Sequence, residues 1–123
     1  MPKHWKMGLE EGPMQRMWIG MKPGEFRLNK EKWQDIQVGD IIEFELRGKQ
    51  DETVVLDTLR TEVLEVVRHS TFRELLEYVY SNGWGEQDRR LENQLASLER
   101  RYPEEERYKY PGVVGFRLKP LPQ

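Results

Sequence analysis

The sequence contains no cysteine, which removes disulfides, thiolate nucleophiles and thiolate metal ligands from consideration. It contains no run that approaches the roughly 18 apolar residues of a membrane span. Its start, MPKHWKM, has no apolar signal-peptide core. We therefore expect a soluble, cytoplasmic protein without a membrane partner. The two histidines, His4 and His69, lie far apart without H-x-x-x-H spacing, so we expect no metal site and no cofactor.

What the sequence does contain is a high charged fraction together with large rings. Of its 123 residues 34% are charged and 37% hydrophobic, and it has four Trp, four Phe and five Tyr. This length and composition predict a single globular domain over residues 1–123 with an aromatic-rich core. Abundant Glu, Lys and Arg without Cys is also a thermophile-like composition.

The charges are distributed unevenly along the chain. Residues 1–34 hold seven Lys or Arg against four Glu, whereas the remainder holds 13 basic against 18 acidic residues, for a total of -2. A locally basic face on an acidic protein can still attract phosphate, because nearby charges set the local field. So mild an excess favours one nucleotide or a short strand over a long duplex.

Periodicity predicts an α+β fold with a mostly antiparallel sheet, because the connections are short. We expect Ser70 or Thr71 to cap a helix, and a one-sided Leu91, Leu95 and Leu98 stripe to place a second helix on the sheet. We expect a bulge near Leu59 where the alternation breaks. The predicted strands are 3–9, 25–28, 41–47, 53–68 and 113–118, and the predicted helices are 14–20, 71–80 and 88–102.

Residues 20 to 27, GMKPGEFR, place three charges around a Pro-Gly turn. Residues two apart on a strand share a face, so Glu25 and Arg27 point together, and Lys22 can reach them across the turn. Two cations beside one carboxylate can hold an anion while staying partly paired. The alternative is an ordinary surface ion pair of little energetic value.

GMKPGEFR resembles the G-x-K-x-x-E-x-R signature of the ASCH domain, a member of the PUA-like superfamily, through Gly20, Lys22, Glu25 and Arg27. A later V-G-D-x-I turn at residues 38–42 and a closing V-V-x-F strand at 113–116 extend the resemblance along nearly the whole chain. It implies a small PUA-like β-barrel with flanking helices and a cleft lined by the three charged residues. Proteins of this kind are thought to bind RNA or a nucleotide-like ligand. Lys22 and Arg27 would meet a phosphate or base carbonyl, and Glu25 would accept from an amine or hold the two cations.

The resemblance also implies two enzymatic alternatives. One similar branch hydrolyses the amide of N4-acetylcytidine with the motif lysine, a threonine in the slot of Glu25, and a later carboxylate. In GEQD, residues 85–88, that carboxylate would be Asp88 first and Glu86 second, so the catalytic set of an enzyme would be Lys22, Glu25 and Asp88. Another branch has been assigned single-strand ribonuclease activity. A non-catalytic interaction scaffold is the third possibility.

Exposed rings beside cations would support RNA binding, since they stack on unpaired bases. Trp84, between two glycines, and Tyr108 and Tyr110 are the candidates for exposure, and we include Trp84 among the ligand-binding residues. Spacing places Trp5, Trp18 and Trp33 in the core. We therefore expect RNA, a nucleotide or a nucleoside as the partner, bound by Lys22, Glu25, Arg27 and Trp84; the sequence gives no indication of oligomeric state.

Overall fold

The computed structural model describes residues 1–122, and within them five strands form one curled sheet in the order β1-β3-β4-β5-β2. The β1–β3 pair is parallel, and the β3–β4, β4–β5 and β2–β5 pairs are antiparallel, so the predicted mostly antiparallel PUA-like α+β fold is confirmed. The strands are β1 (His4–Gly8), β2 (Gly24–Leu28), β3 (Ile41–Arg47), β4 (Val55–His69) and β5 (Val113–Pro120).

The helices lie between the strands. Thr71 caps the second helix as predicted, because its side chain accepts from the Glu74 backbone N–H at 3.2 Å. The third helix begins at Leu91 rather than near Asp88, since the intervening residues form turns. The helices are α1 (Glu11–Trp18), α2 (Phe72–Ser81), α3 (Leu91–Arg101) and α4 (Glu104–Arg107), with a 3₁₀ turn at Glu31–Trp33.

The alternation of β4 breaks on both sides of Leu59 rather than at Leu59 itself: the register against β3 skips Leu56, between Val55 and Asp57, and a second irregularity lies further along the strand. Leu59 pairs regularly with Phe44 and is fully buried, whereas the register against β5 shifts between Val63 and Glu65. The extra residue, Leu64, is exposed. The bulge at Leu64 therefore marks the region where β4 continues from pairing with β3 to pairing with β5.

Two apolar clusters hold the fold together. One packs α1 and the 3₁₀ turn against the sheet, with Met14, Met17 and Trp33 as members. The other packs α2 and α3 against β2 and includes Phe26 and Leu95. Within residues 1–122, no helix has the length and apolar character that a bilayer crossing requires.

The tryptophan expectations are partly wrong. Trp33 is buried and Trp5 partly buried, but Trp18 is 46% exposed, because it follows the buried Met17 and faces away from the core. Trp84 is only 1% exposed instead of open to solvent, because it packs under β2. Of the two loop tyrosines, Tyr108 is 80% exposed, whereas Tyr110 is half-buried.

Candidate ligand-binding site

The turn between α1 and β2 positions the charged motif. Gly20, at φ +81°, takes the left-handed conformation that ends α1, and the chain then reverses through Pro23 into β2. The Pro23 carbonyl accepts from the Leu118 backbone N–H at 2.8 Å, which fixes the turn to β5. The motif side chains are therefore presented from a hydrogen-bonded strand end.

Lys22, Glu25 and Arg27 converge as the motif predicts, and the Glu25 carboxylate is their centre. Its Oε1 lies 3.1 Å from Lys22 Nζ and accepts from the Phe26 backbone N–H at 3.3 Å. Its Oε2 accepts from Arg27 Nε at 3.0 Å and Nη2 at 2.7 Å. Four donors match the roughly four lone-pair sites of a carboxylate, so the protein itself satisfies Glu25.

The ion pairs keep Glu25 charged despite its burial. Burial by itself raises the pKa of Glu25, but the Lys22 ammonium and the Arg27 guanidinium lower that pKa to about 2. Glu25 is therefore a permanent anion at neutral pH. An acid this strong is a weak base, and its protonated form is negligible, so neither general-acid nor general-base work suits it at neutral pH.

The two motif cations have different surroundings. Lys22 Nζ donates to the Gly24 carbonyl at 2.7 Å and lies over the Phe26 ring, 5.4 Å from the ring centroid. Arg27 Nη2 donates to the Gly8 carbonyl at 2.6 Å, which joins β2 to β1 at the opposite edge of the sheet order. Lys22 lines a cleft between α1 and α3, whereas Arg27 does not.

A cleft of about 430 Å³ lies between α1, the start of β2, the segment before α3, and α3 itself. Its described lining brings together four basic side chains, Arg16, Lys22, Arg89 and Arg101, and three carboxylates, Glu10, Glu25 and Glu86. The apolar part comes mainly from Leu9, Phe26, Leu98 and Tyr102. This mixture of apolar wall and a few convergent polar groups is typical of small-molecule sites, which span roughly 300–1,000 Å³.

The GEQD segment contributes Glu86 to the cleft rather than Asp88. Glu86 is 4% exposed and accepts from Arg16 Nε at 3.0 Å and from Arg89 Nη1 at 3.4 Å. Asp88 is half-exposed and is not part of the cleft lining. Its carboxylate accepts a hydrogen bond from Arg16 Nη2 at 2.7 Å, which lowers the pKa of Asp88. The carboxylate ranked second by sequence is thus the one that the cleft contains.

Trp84 lies beneath the start of β2, where it packs against Gly24 and Phe26. A Cβ on Gly24 would lie 2.8 Å from the Trp84 ring, and the Phe26 and Trp84 ring centroids are 5.9 Å apart. Trp84 is absent from the cleft lining. Its expected stacking role therefore has no exposed ring face to act through.

Gln94 is a cleft residue that the sequence reasoning missed. It is 3% exposed and lies three residues after Leu91 and four before Leu98, so it shares the apolar face of α3. A polar residue inside an apolar stripe is the signal that could have identified it. Ser97 and Arg101, also on α3, complete this wall.

In the part of the chain that the structure describes, no three His, Asp or Glu side chains are grouped so as to hold a metal ion. The carboxylates of the cleft are instead paired with guanidinium or ammonium groups. Each of the three cleft carboxylates thus has a basic partner, Glu10 with Arg101, Glu25 with Lys22 and Glu86 with Arg16.

Comparison with known proteins gives relatives among solved structures, although no family model and no curated protein matches this chain. The crystal structure of the hypothetical protein PH0355 is 30% identical, with 96% of this chain and 99% of that chain covered and a TM-score of 0.73. The solution structure of PF0455 from Pyrococcus furiosus is 29% identical, with 98% and 99% covered and a TM-score of 0.65. The S128A mutant of ZmASCH from Zymomonas mobilis is 12% identical, with 98% and 76% covered and a TM-score of 0.58, a similarity of fold.

Proposed function

We propose that this chain, which belongs to the same family as PH0355 and has the fold of an ASCH protein, binds RNA or a free nucleotide through Lys22 in its cleft. The observation that carries the proposal is the position of the Lys22 ammonium. It is held by Glu25 on the wall of a cleft large enough for a nucleotide.

Lys22 is the motif residue best able to contact the ligand. An ammonium has three N–H donors, and within residues 1–122 its hydrogen-bond acceptors are the Gly24 carbonyl and the Glu25 carboxylate. The third donor remains for a phosphate or base carbonyl oxygen. The side chain is 11% exposed, so a new hydrogen bond would form largely out of water, where charged hydrogen bonds are stronger.

Glu25 and Arg27 then act as positioning residues. Glu25 already accepts from four donors, and Arg27 donates to the Glu25 carboxylate and to the Gly8 carbonyl. Of the two roles expected for Glu25, this geometry favours holding the cations over accepting from a ligand amine. A lysine fixed in advance loses little side-chain entropy when the ligand arrives.

The charge balance of the cleft favours a small anionic ligand. Its described lining has one more cation than carboxylates, and most of these charges pair with each other across the walls. A local excess of this size suits one or two phosphates instead of a long polyanion. A nucleotide, or a short single-stranded segment entering with one base, fits this description.

The experiment is a thermal-shift screen of wild type and Lys22→Ala against nucleosides, nucleoside monophosphates, N4-acetylcytidine and short single-stranded RNAs. Binding predicts a higher Tm for wild type with at least one probe, because a ligand at a hundredfold excess over Kd stabilises by about 2.7 kcal/mol. We expect Lys22→Ala to lose that shift. Lys119→Ala, which changes an exposed lysine outside the cleft, should keep it.

Chromatography of each mixture separates binding from turnover. A Lys22-dependent shift without product supports the proposal, and Lys22-dependent product would replace it with hydrolysis. The proposal fails when no probe shifts the wild type, or when Lys22→Ala responds as the wild type does.

A further inference from the structure

Gln94 presents an unpartnered amide donor to the cleft. Its Oε1 accepts from the Tyr80 hydroxyl at 2.7 Å, and among residues 1–122 its side-chain Nε2 has no acceptor. Gln94 is 3% exposed and lines the cleft. Its Nε2 atom is nevertheless not completely enclosed by protein, whereas the unpaired Nε1 of Trp84 is. The amide nitrogen therefore opens toward the cleft. An amide N–H that opens into a cleft can donate to an acceptor atom of a bound ligand.

The amide is held in place by its surroundings. The Tyr80 hydroxyl also lies 3.1 Å from the Arg89 carbonyl, and the Tyr80 ring packs so closely on Gly85 that a Cβ there would approach it to 2.6 Å. The ring can shift little, and its hydroxyl fixes one end of the Gln94 amide. A donor oriented before binding is characteristic of a residue that selects ligands.

We propose that Gln94 determines the specificity of the cleft, with its amide N–H binding an acceptor oxygen of the same ligand that Lys22 contacts. This inference rests on the proposed function. Lys22 and Gln94 both donate, while Glu25 has its acceptor sites filled, so the preferred ligand carries at least two acceptor oxygens. The second oxygen is either the 4-carbonyl of uracil, where cytosine carries an amine, or a phosphate oxygen.

The experiment is isothermal titration of uridine, cytidine and uridine 5′-monophosphate into wild type, Gln94→Met and Gln87→Met. Gln94→Met keeps the volume and removes the donor, and Gln87 is an exposed control outside the cleft lining. We expect Gln94→Met to bind the probe that carries the recognised oxygen about tenfold more weakly than wild type does. This is the scale of one hydrogen bond at a buried site. Gln87→Met should bind all three probes as the wild type does.

The three probes identify which oxygen is bound. If it is the uracil 4-carbonyl, uridine itself binds Gln94→Met more weakly, and the preference for uridine over cytidine falls. If it is a phosphate oxygen, uridine binding stays unchanged and the advantage of the monophosphate over uridine falls. Tyr80→Phe keeps Gln94 but removes the hydroxyl that orients its amide, so it should lower the same affinity ratio as Gln94→Met does. This second variant keeps the test available should Gln94→Met not fold.

Unchanged ratios in folded Gln94→Met, or in Tyr80→Phe where only that variant folds, overturn the inference. When those ratios are unchanged while Lys22→Ala still abolishes binding, the specificity role falls and the proposed function stands. Wild type that binds none of the RNA or nucleotide probes contradicts both.

Discussion

At the scale of single residues, the buried Glu25 carboxylate links the site to stability. Its pKa falls from 4.5 to about 2 on folding, because the Lys22 and Arg27 charges outweigh the cost of burial. A carboxyl group whose pKa is lower in the folded state contributes stability that is fully present above about pH 4.5. That contribution is lost as the pH falls toward about 2, and it is on the order of 3 kcal/mol.

We predict that Glu25→Gln is less stable than wild type at pH 7, and that this difference shrinks as the pH falls from about 4.5 to about 2. Urea unfolding followed by tryptophan fluorescence at several pH values measures it. Glu92→Gln, which removes an exposed partner of Arg73, is the control and should change stability little. If the difference in unfolding free energy between Glu25→Gln and wild type is the same at every pH, then Glu25 is not the ionised carboxylate, paired with two cations, described above.

Residue types and spacing predicted part of the site. The strand period brought Glu25 and Arg27 together, and the Pro-Gly turn let Lys22 join them. The same spacing could not show that Arg27 would turn to the Gly8 carbonyl, because β1 and β2 are distant in sequence and are not paired in the sheet. Nor could it choose Glu86 over Asp88, because that choice depends on where Arg16 lies, seventy residues earlier.

At the scale of elements, the contact between β2 and Trp84 sets the position of the motif strand. Gly24 has no room for a side chain, since a Cβ would lie 2.8 Å from two ring carbons of Trp84 and 3.1 Å from Phe26. The Trp84 ring is fully buried and cannot move aside as a surface side chain would.

We predict that Gly24→Ala destabilises the protein by about 1–3 kcal/mol, the usual cost of overpacking a core. Gly8→Ala is the matched control, because Gly8 also lies at a strand end but has no atom within 4 Å of the added Cβ. Its effect should stay within about 0.5 kcal/mol. Urea unfolding of the two variants gives the comparison, and equal stabilities would contradict the tight contact.

The elements with strong periodicity could be predicted from the sequence, but the segments that pack against them could not. The alternation of β3 and the capped α2 follow from local sequence, and both are found. The exposure expected for Trp84 was wrong because its glycine neighbours suggested a loop, whereas Gly24 from another segment provides a surface on which the ring is buried. Local composition describes the backbone of such a segment but not what packs over it.

At the scale of the whole molecule, the cleft exists because distant segments meet. Arg16 ties α1 to Glu86 and Asp88, Arg27 ties β2 to the end of β1, and α3 provides the wall with Gln94. The sheet order places β1 and β2 at opposite ends, and the Arg27 contact joins them where strand pairing does not. The site therefore depends on contacts between segments that are far apart in the sequence.

The most direct test of this account is an NMR titration of the ¹⁵N-labelled protein with uridine 5′-monophosphate and with a short single-stranded RNA. Binding in the cleft predicts amide shift changes concentrated in residues 22–26, 86–89 and 94–102, and their loss in Lys22→Ala. Changes concentrated instead along the groove at the β3–β4 hairpin, residues 45–56, or no changes with either probe, would contradict it.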